Sequence, residues 1–295
     1  MFPLIFKRIL GVISVLVILA VMTYLIKPKK SPPPSPVITK TEILTPTKSS
    51  RRILGQSKEG RSIEAYTYGN GGTHITFVGG MHGGYEWNSV LLAYTFIDYL
   101  SEHLESIPEN LTIEIIPAIN PDGVYKVTGK DGRFTKEDVS TDEKILASGR
   151  FNANNVDLNR NFDCKWKTKS TWRSKIVSAG TEAFSEPEAK ILRDFVTQLH
   201  PSLVVFWHSQ SNGVYASQCE NGILPETLKA MSTYAEASGY PAIKTFDAYE
   251  TTGAADDWLA SVKIPAITVE LKTHTEIEWD KNLSGIQAII KQYSR

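Results

Sequence analysis

An excess of charge of one sign is absent from this chain: 32 Lys and Arg balance 32 Asp and Glu over 295 residues. The balance is uneven along its length. Residues 1–50 hold seven basic side chains against Glu42, so residues 51–295 carry 25 basic and 31 acidic groups, a net charge of −6. A mildly acidic body offers no basic face to a phosphate backbone, and nucleic acid is excluded as an expected partner. Cysteine is scarce too, with only Cys164 and Cys219. They can form one disulfide, favoured if the domain is exported; in a reducing compartment they would be free, buried thiols. Six histidines, at 74, 82, 103, 200, 208 and 274, limit the sites open to metal or acid–base chemistry. No internal repeat is present from Arg51 onward, and an apolar content of 41% is enough for most of the chain to fold.

One long apolar run does occur. Ile9 to Ile26 is 18 residues without a charge, flanked by Lys7-Arg8 and by Lys27, Lys29 and Lys30. As a helix it would span about 27 Å, enough to cross the hydrocarbon core of a bilayer. A cleaved signal peptide is the rival reading. Its apolar run is usually shorter and ends at a small-residue site, whereas Tyr24-Leu25-Ile26-Lys27-Pro28 follows here. Residues 1–30 are therefore expected to hold one uncleaved transmembrane helix, at about residues 9–26. Positive charge flanks both ends alike, so charge does not set its orientation. Residues 31–50, with prolines at 32, 33, 34, 36 and 46, read as an extended tether. Anchor and spacer together favour a single-pass membrane protein whose body, residues 51–295, faces outward.

Within that body, Ile63–Tyr68 alternates apolar and polar residues and Ile75–Val78 is a short apolar run. The pattern predicts two strands joined by a turn at Gly69-Asn70-Gly71-Gly72. Ser89–Leu104 has apolar residues at helical spacing. Leu111–Ile116 reads as a strand ended by Pro117 and a turn at Asn120-Pro121-Asp122-Gly123. Ser185-Glu186-Pro187-Glu188 reads as a capping box opening a helix. Leu203–Trp207 and Ala266–Leu271 are apolar strands, and Ile277–Tyr293 is an amphipathic helix. Strands alternating with helices predict one α/β domain, a central sheet with helices on both faces and functional groups at strand ends.

Two histidines sit where such a fold places chemistry. His82 follows a strand, among glycines, in Gly79-Gly80-Met81-His82-Gly83-Gly84-Tyr85-Glu86; His208 ends the strand Leu203–Trp207. Either alone is more readily a hydrogen-bonded loop histidine than a ligand. Together with Glu86 they supply two nitrogens and a carboxylate, the donor set of a catalytic zinc with its fourth position left to water. Glu270, in the otherwise apolar strand Ala266–Leu271, is costly there unless it faces a site.

Between these lie Asn120-Pro121-Asp122-Gly123 and Asp157-Leu158-Asn159-Arg160-Asn161-Phe162. With the His…Glu loop after a glycine pair, a strand ending in His208-Ser209, and Val269-Glu270-Leu271, the chain resembles the zinc carboxypeptidases of the pancreatic A/B superfamily. The motifs stand in the family's order and cover residues 55–290. The resemblance implies a mixed, twisted central sheet and one zinc per chain held by His82, Glu86 and His208. It implies Glu270 as the general base acting on the attacking water, and Asn159 and Arg160 as the grip on the substrate's terminal carboxylate, which suits a forked guanidinium. It makes Tyr249 the residue that closes over the bound terminal residue. An upstream arginine stabilises the oxyanion in the family; Arg150 is the candidate, with Arg133 the alternative.

Counting from Tyr249 through Gly253 places Asp256 in the pocket for the terminal side chain. An acid there implies a basic terminal residue, or the amine of diaminopimelate in cell-wall peptides; otherwise Asp256 merely begins a helix. The family spaces its first two ligands as His-x-x-Glu, whereas three residues separate His82 from Glu86. Gly83-Gly84 is expected to let the loop bulge so that Glu86 still reaches the metal. The expected activity is carboxypeptidase cleavage of peptides. Its alternatives are a peptidase of peptidoglycan stems and an inactive module that binds peptide C-termini.

Overall fold

The computed structural model describes residues 49–294. The anchor expected at residues 9–26 lies outside the described residues, as does the tether up to residue 48. Among the described residues no helix is long and apolar enough to cross a membrane. The first strand of the described residues is β1 (Ser50–Gln56).

An eight-stranded sheet has the order β1–β2–β4–β3–β7–β10–β8–β9. Its other strands are β2 (Ser62–Gly69), β3 (Thr73–Val78), β4 (Leu111–Ile116), β7 (Leu203–Ser209), β8 (Gly213–Ala216), β9 (Ala242–Ile243) and β10 (Ala266–Leu271). The centre, β4–β3–β7–β10, is parallel, and antiparallel pairings join β1–β2–β4 on one side and β8 on the other. The sheet is mixed, as expected. Strands β5 (Lys169–Trp172) and β6 (Lys175–Ser178) form a separate hairpin. The described residues hold seven helices, in chain order α1 (Trp87–Glu102), α2 (Pro121–Thr128), α3 (Glu143–Ser148), α4 (Pro187–Leu199), α5 (Pro225–Ser238), α6 (Ala255–Ser261) and α7 (Trp279–Tyr293).

The two-residue period of a strand divides the interior into two cores. On β7, Val205 and Trp207 join Phe77 and Phe96 on one face, while Val204 and Phe206 join Val78 and Ile116 on the other. Phe77 stacks on Trp207 at 5.2 Å and meets Phe96 edge-on at 5.1 Å. The same alternation orients the functional strands. Ala266 shares the second face with Val204 and Phe206, so Glu270 and His208, at even steps from them, emerge on that face.

Several local readings are corrected. β2 and β3 do not pair, because β4 lies between them, and Gly69–Gly72 is a crossover rather than a hairpin turn. Asn120-Pro121-Asp122-Gly123 opens a helix: Asn120 caps α2 by accepting from Gly123 N, and Pro121 takes the first turn, where a missing N–H costs nothing. Glu186, not Ser185, is the N-cap of α4; the Ser185 hydroxyl donates to Glu186 and accepts from Asn161.

Candidate metal centre and active site

The C-terminal ends of three parallel strands converge on one cavity of about 230 Å³. Just past β3, the chain turns through Gly83–Glu86 as a short 3₁₀ helix, which brings Glu86 back beside His82. Glycine is required at 83, where φ is +47° and a Cβ would lie 2.5 Å from the Gly149 carbonyl oxygen; a Cβ at Gly84 would strike Val127. The bulge expected of the long His…Glu spacing is thus present. Donor atoms of His82, Glu86 and His208 lie within 4.8 Å of one another, and all three residues are buried. Glu86 Oε2 takes the Ser209 N–H at 3.1 Å and sits 3.0 Å from His208 Nδ1.

Electrostatics divide the two imidazoles. Burial, then the charge of Arg150, holds His82 well below the usual histidine range and so neutral. Burial works the same way on His208, but the adjacent Glu86 carboxylate outweighs it and the pKa is raised. Glu270 pairs with His208 in the β7–β10 register. Burial first and Glu86 second push Glu270 up to about 7, opposed by His208 and by the Ser211 N–H that it accepts at 3.1 Å.

A second layer holds these groups. Arg150 donates through Nε and Nη2 to Asp157, both at 2.9 Å, and its Nη1 edge lies 3.7 Å from Glu86. Asn120 reaches the Arg150 carbonyl at 3.3 Å. Arg133, the alternative for Arg150, is bound to Asp98 on an exposed surface and borders a different cavity. Asp157 Oδ1 lies 3.4 Å from His82 Nδ1, and neither buried atom has a hydrogen-bond partner. A carboxylate beside a metal-binding imidazole orients the ring, and that role for Asp157 was not assigned from the sequence.

The remaining expected residues line the same cavity. Asn159 Oδ1 accepts from Ala255 N, which ties the Asp157–Phe162 segment to the start of α6. Arg160 is buried and donates to the carbonyls of Thr171 and Asn159. Tyr249, on the loop before Gly253, packs against Phe246 at 4.9 Å. Asp256 is in the first turn of α6, but its carboxylate accepts from Thr268 Oγ1 at 3.0 Å and borders the cavity. Sequence reasoning passed over Asp257, Tyr85, Trp172, Arg173 and His274, all of which line the cavity. Asp257 takes the Gln218 N–H and is pushed up to about 8 by burial and by Asp256. His274 and Tyr85 lie 4.6 Å apart, and His274 Nδ1 is 2.7 Å from Ser209 Oγ. The pair Asp256-Asp257 was a visible signal; Tyr85 sits in the 3₁₀ turn, Trp172 ends β5, and Arg173 and His274 are in loops.

Two imidazoles and a carboxylate, buried together at a cavity and backed by Asp157, fit a zinc ion with an open position. The zinc carboxypeptidase family model matches residues 37–289. The chain belongs to the zinc carboxypeptidase family. Members of that family are zinc carboxypeptidases, and the chain spans less than two thirds of the length of several curated relatives that it matches. This family member is 26% identical over 246 residues to gamma-D-glutamyl-L-diamino acid endopeptidase 1 of Lysinibacillus sphaericus, covering 75% of this chain and 60% of the relative. It is 28% identical over 251 residues to a carboxypeptidase B of Astacus astacus, covering 77% and 80%. Among solved structures it superposes on a carboxypeptidase A of Helicoverpa armigera with a TM-score of 0.64 at 20% identity, covering 83% of this chain and 68% of that one. A murein-tripeptide amidase of Escherichia coli O157 gives 0.56 at 22% identity, covering 84% and 98%. The last two likenesses concern the fold.

Cys164 and Cys219 form a disulfide, the pairing expected for an exported domain.

Proposed function

We propose that the chain is a zinc-dependent carboxypeptidase that removes the C-terminal residue of peptides, preferring a basic one. The observation that carries this reading is Arg160. Its guanidinium is buried at the cavity, bonded to two backbone carbonyls and, among the described residues, to no carboxylate. A buried charge without a counter-ion is costly, and the terminal carboxylate of a peptide is the anion that would complete it. His82, Glu86 and His208 would hold the metal. Zinc there supplies a Lewis acid that polarises the scissile carbonyl and makes water acidic near neutral pH.

The other steps belong to the chain's own residues. Glu270, set beside His208 on the neighbouring strand, takes the proton of the attacking water and passes it to the leaving amine. The Nη1 edge of Arg150, held toward the metal group by Asp157, meets the charge that grows on the carbonyl oxygen. Asn159 and Arg160 fix the terminal carboxylate, Tyr249 covers the terminal residue, and Asp256 meets its cationic side chain.

A second reading has support of its own. The similarity to an endopeptidase of gamma-D-glutamyl-diamino acid bonds, and the Asp256-Asp257 pair awaiting an amine, suit cleavage of peptidoglycan stems. The disulfide, which persists in oxidising compartments, supports an extracytoplasmic body, and the apolar run Ile9 to Ile26 supports a membrane anchor. The deciding assay gives the zinc-loaded chain acetyl-Ala-Lys, acetyl-Ala-Leu and gamma-D-glutamyl-lysine. Release of Lys from the first, well above Leu from the second, supports the leading reading. Cleavage of the third alone favours the stem peptidase, and failure to bind zinc or cut any of them favours a binding module.

A further inference from the structure

The hairpin β5–β6 is charged unlike the rest of the domain. Residues 163–178 hold Lys165, Lys167, Lys169, Arg173 and Lys175 against Asp163 alone, whereas residues 51–162 and 179–295 together hold 20 basic and 30 acidic side chains. Lys167 is neutralised by Glu250 at 2.6 Å. Lys169, Arg173 and Lys175 are exposed and have no carboxylate partner among the described residues. Arg173 and Lys175 share one support, the buried indole of Trp172, at 5.7 and 5.8 Å from its ring centre, and Arg150 lies at 4.5 Å from the same ring. Cations so placed repel one another, and an anion between the exposed ones would relieve this.

Position tells which part of a substrate would bring that anion. The carbonyl of Thr171 accepts from Arg160, at the end of the cavity assigned to the terminal carboxylate. One residue on, Trp172 packs on Tyr85, which precedes the ligand Glu86. One further, Arg173 turns the hairpin and still lines the cavity. Three successive residues thus join the carboxylate grip, the loop that carries Glu86 and an exposed cation at the cavity. The hairpin is pinned, not loose: Thr171 Oγ1 donates to the Glu250 carbonyl and Trp166 Nε1 to that of Ala179.

We propose that Lys169, Arg173 and Lys175 bind carboxylates on the acyl side of the scissile bond, so that the favoured substrates carry acidic residues upstream of their C-terminal residue. The inference rests on the carboxypeptidase reading. An anionic membrane surface is the competing occupant, since Ile176 beside Lys175 is 74% exposed. The substrate is favoured because Arg173 and Trp172 line the cavity itself.

The test compares acetyl-Asp-Glu-Ala-Lys with acetyl-Asn-Gln-Ala-Lys on the zinc-loaded full-length chain. At about 0.02 M salt the acidic peptide should have a kcat/KM about tenfold higher, mostly through KM, and the ratio should approach one at about 0.5 M. Combined Lys169→Ser, Arg173→Ser and Lys175→Ser should abolish the preference at low salt, and Arg173→Glu alone should invert it. Equal rates for the two peptides, or a preference unchanged in both variants, overturn the inference. So does a ratio of one together with binding to phosphatidylglycerol vesicles that the triple variant loses, which assigns the hairpin to the membrane. If neither peptide is cut, the carboxypeptidase reading itself fails, a result distinct from cutting both equally.

Discussion

Arg150 precedes the Asp157–Phe162 motif and Arg160 lies within it; both are buried and line the cavity, yet their surroundings differ. Arg150 is held by two bonds to Asp157 and lies near Glu86. The Arg160 guanidinium donates to two backbone carbonyls and forms no ion pair among the described residues. A buried guanidinium with its own carboxylates is satisfied before any ligand arrives; one without them is a receptor. On the proposed reading, the difference separates a group held beside the metal residues to face the carbonyl oxygen from a group that recognises the terminal carboxylate.

Alanine substitution should break this comparison most sharply. Arg160→Ala should lower kcat/KM on a free-acid peptide by about 30- to 5,000-fold, the cost of about 2–5 kcal/mol for truncating one partner of a buried charge pair. The same variant should lose the preference for free acid over C-terminal amide. Arg150→Ala strands Asp157 without its cation, which should cost about 3–5 kcal/mol of stability. Thermal unfolding of the two variants should therefore show the larger loss at Arg150. A larger loss at Arg160 would reverse the assignments.

Glu86→Ala tests the metal side of the comparison. Atomic absorption should find about one zinc in the parent chain and a reduced content in the variant, because the donor set falls from three groups to two histidines. Undiminished zinc would remove Glu86 from the ligands. At the substrate end, Asp256→Ala should reduce the ratio of Lys to Leu release by about tenfold, the worth of one charge-assisted hydrogen bond.

A further expected effect is a pH-dependent stability shift at Asp257. Its folded pKa is raised to about 8, against about 3.9 in an unfolded chain, so the folded state holds the proton more tightly. Its contribution to stability is complete below about pH 4 and is lost as pH rises through about 8. Asp257→Asn keeps the acceptor for Gln218 N–H and should raise the unfolding midpoint near pH 9 but not near pH 4. An equal effect at both values would mean that Asp257 is ionised in the fold at neutral pH.

Much of the fold was legible because the strands β4, β7 and β10 are apolar runs bounded by turn residues, and their ends announced His208 and Glu270. The nine expected site residues all line one cavity because five motifs preserve their order along the chain. Pairing was not legible: the interposition of β4 between β2 and β3 depends on contacts distant in sequence. Asn120-Pro121 looked like a turn because the signals that stop a strand also start a helix. Asp157 was quoted within a motif but given no role, since only the structure brings it to Arg150 and His82. Trp172, Arg173 and His274 carry no motif, and their place at the cavity is set by the β5–β6 hairpin and by the loop after β10.

The most direct test of the central claim is hydrolysis of acetyl-Ala-Lys and of its C-terminal amide by the zinc-loaded full-length chain. The account predicts release of Lys from the free acid and little or no cleavage of the amide, because Arg160 lacks its anion. Equal cleavage of the two, or none of either with zinc bound, would contradict it.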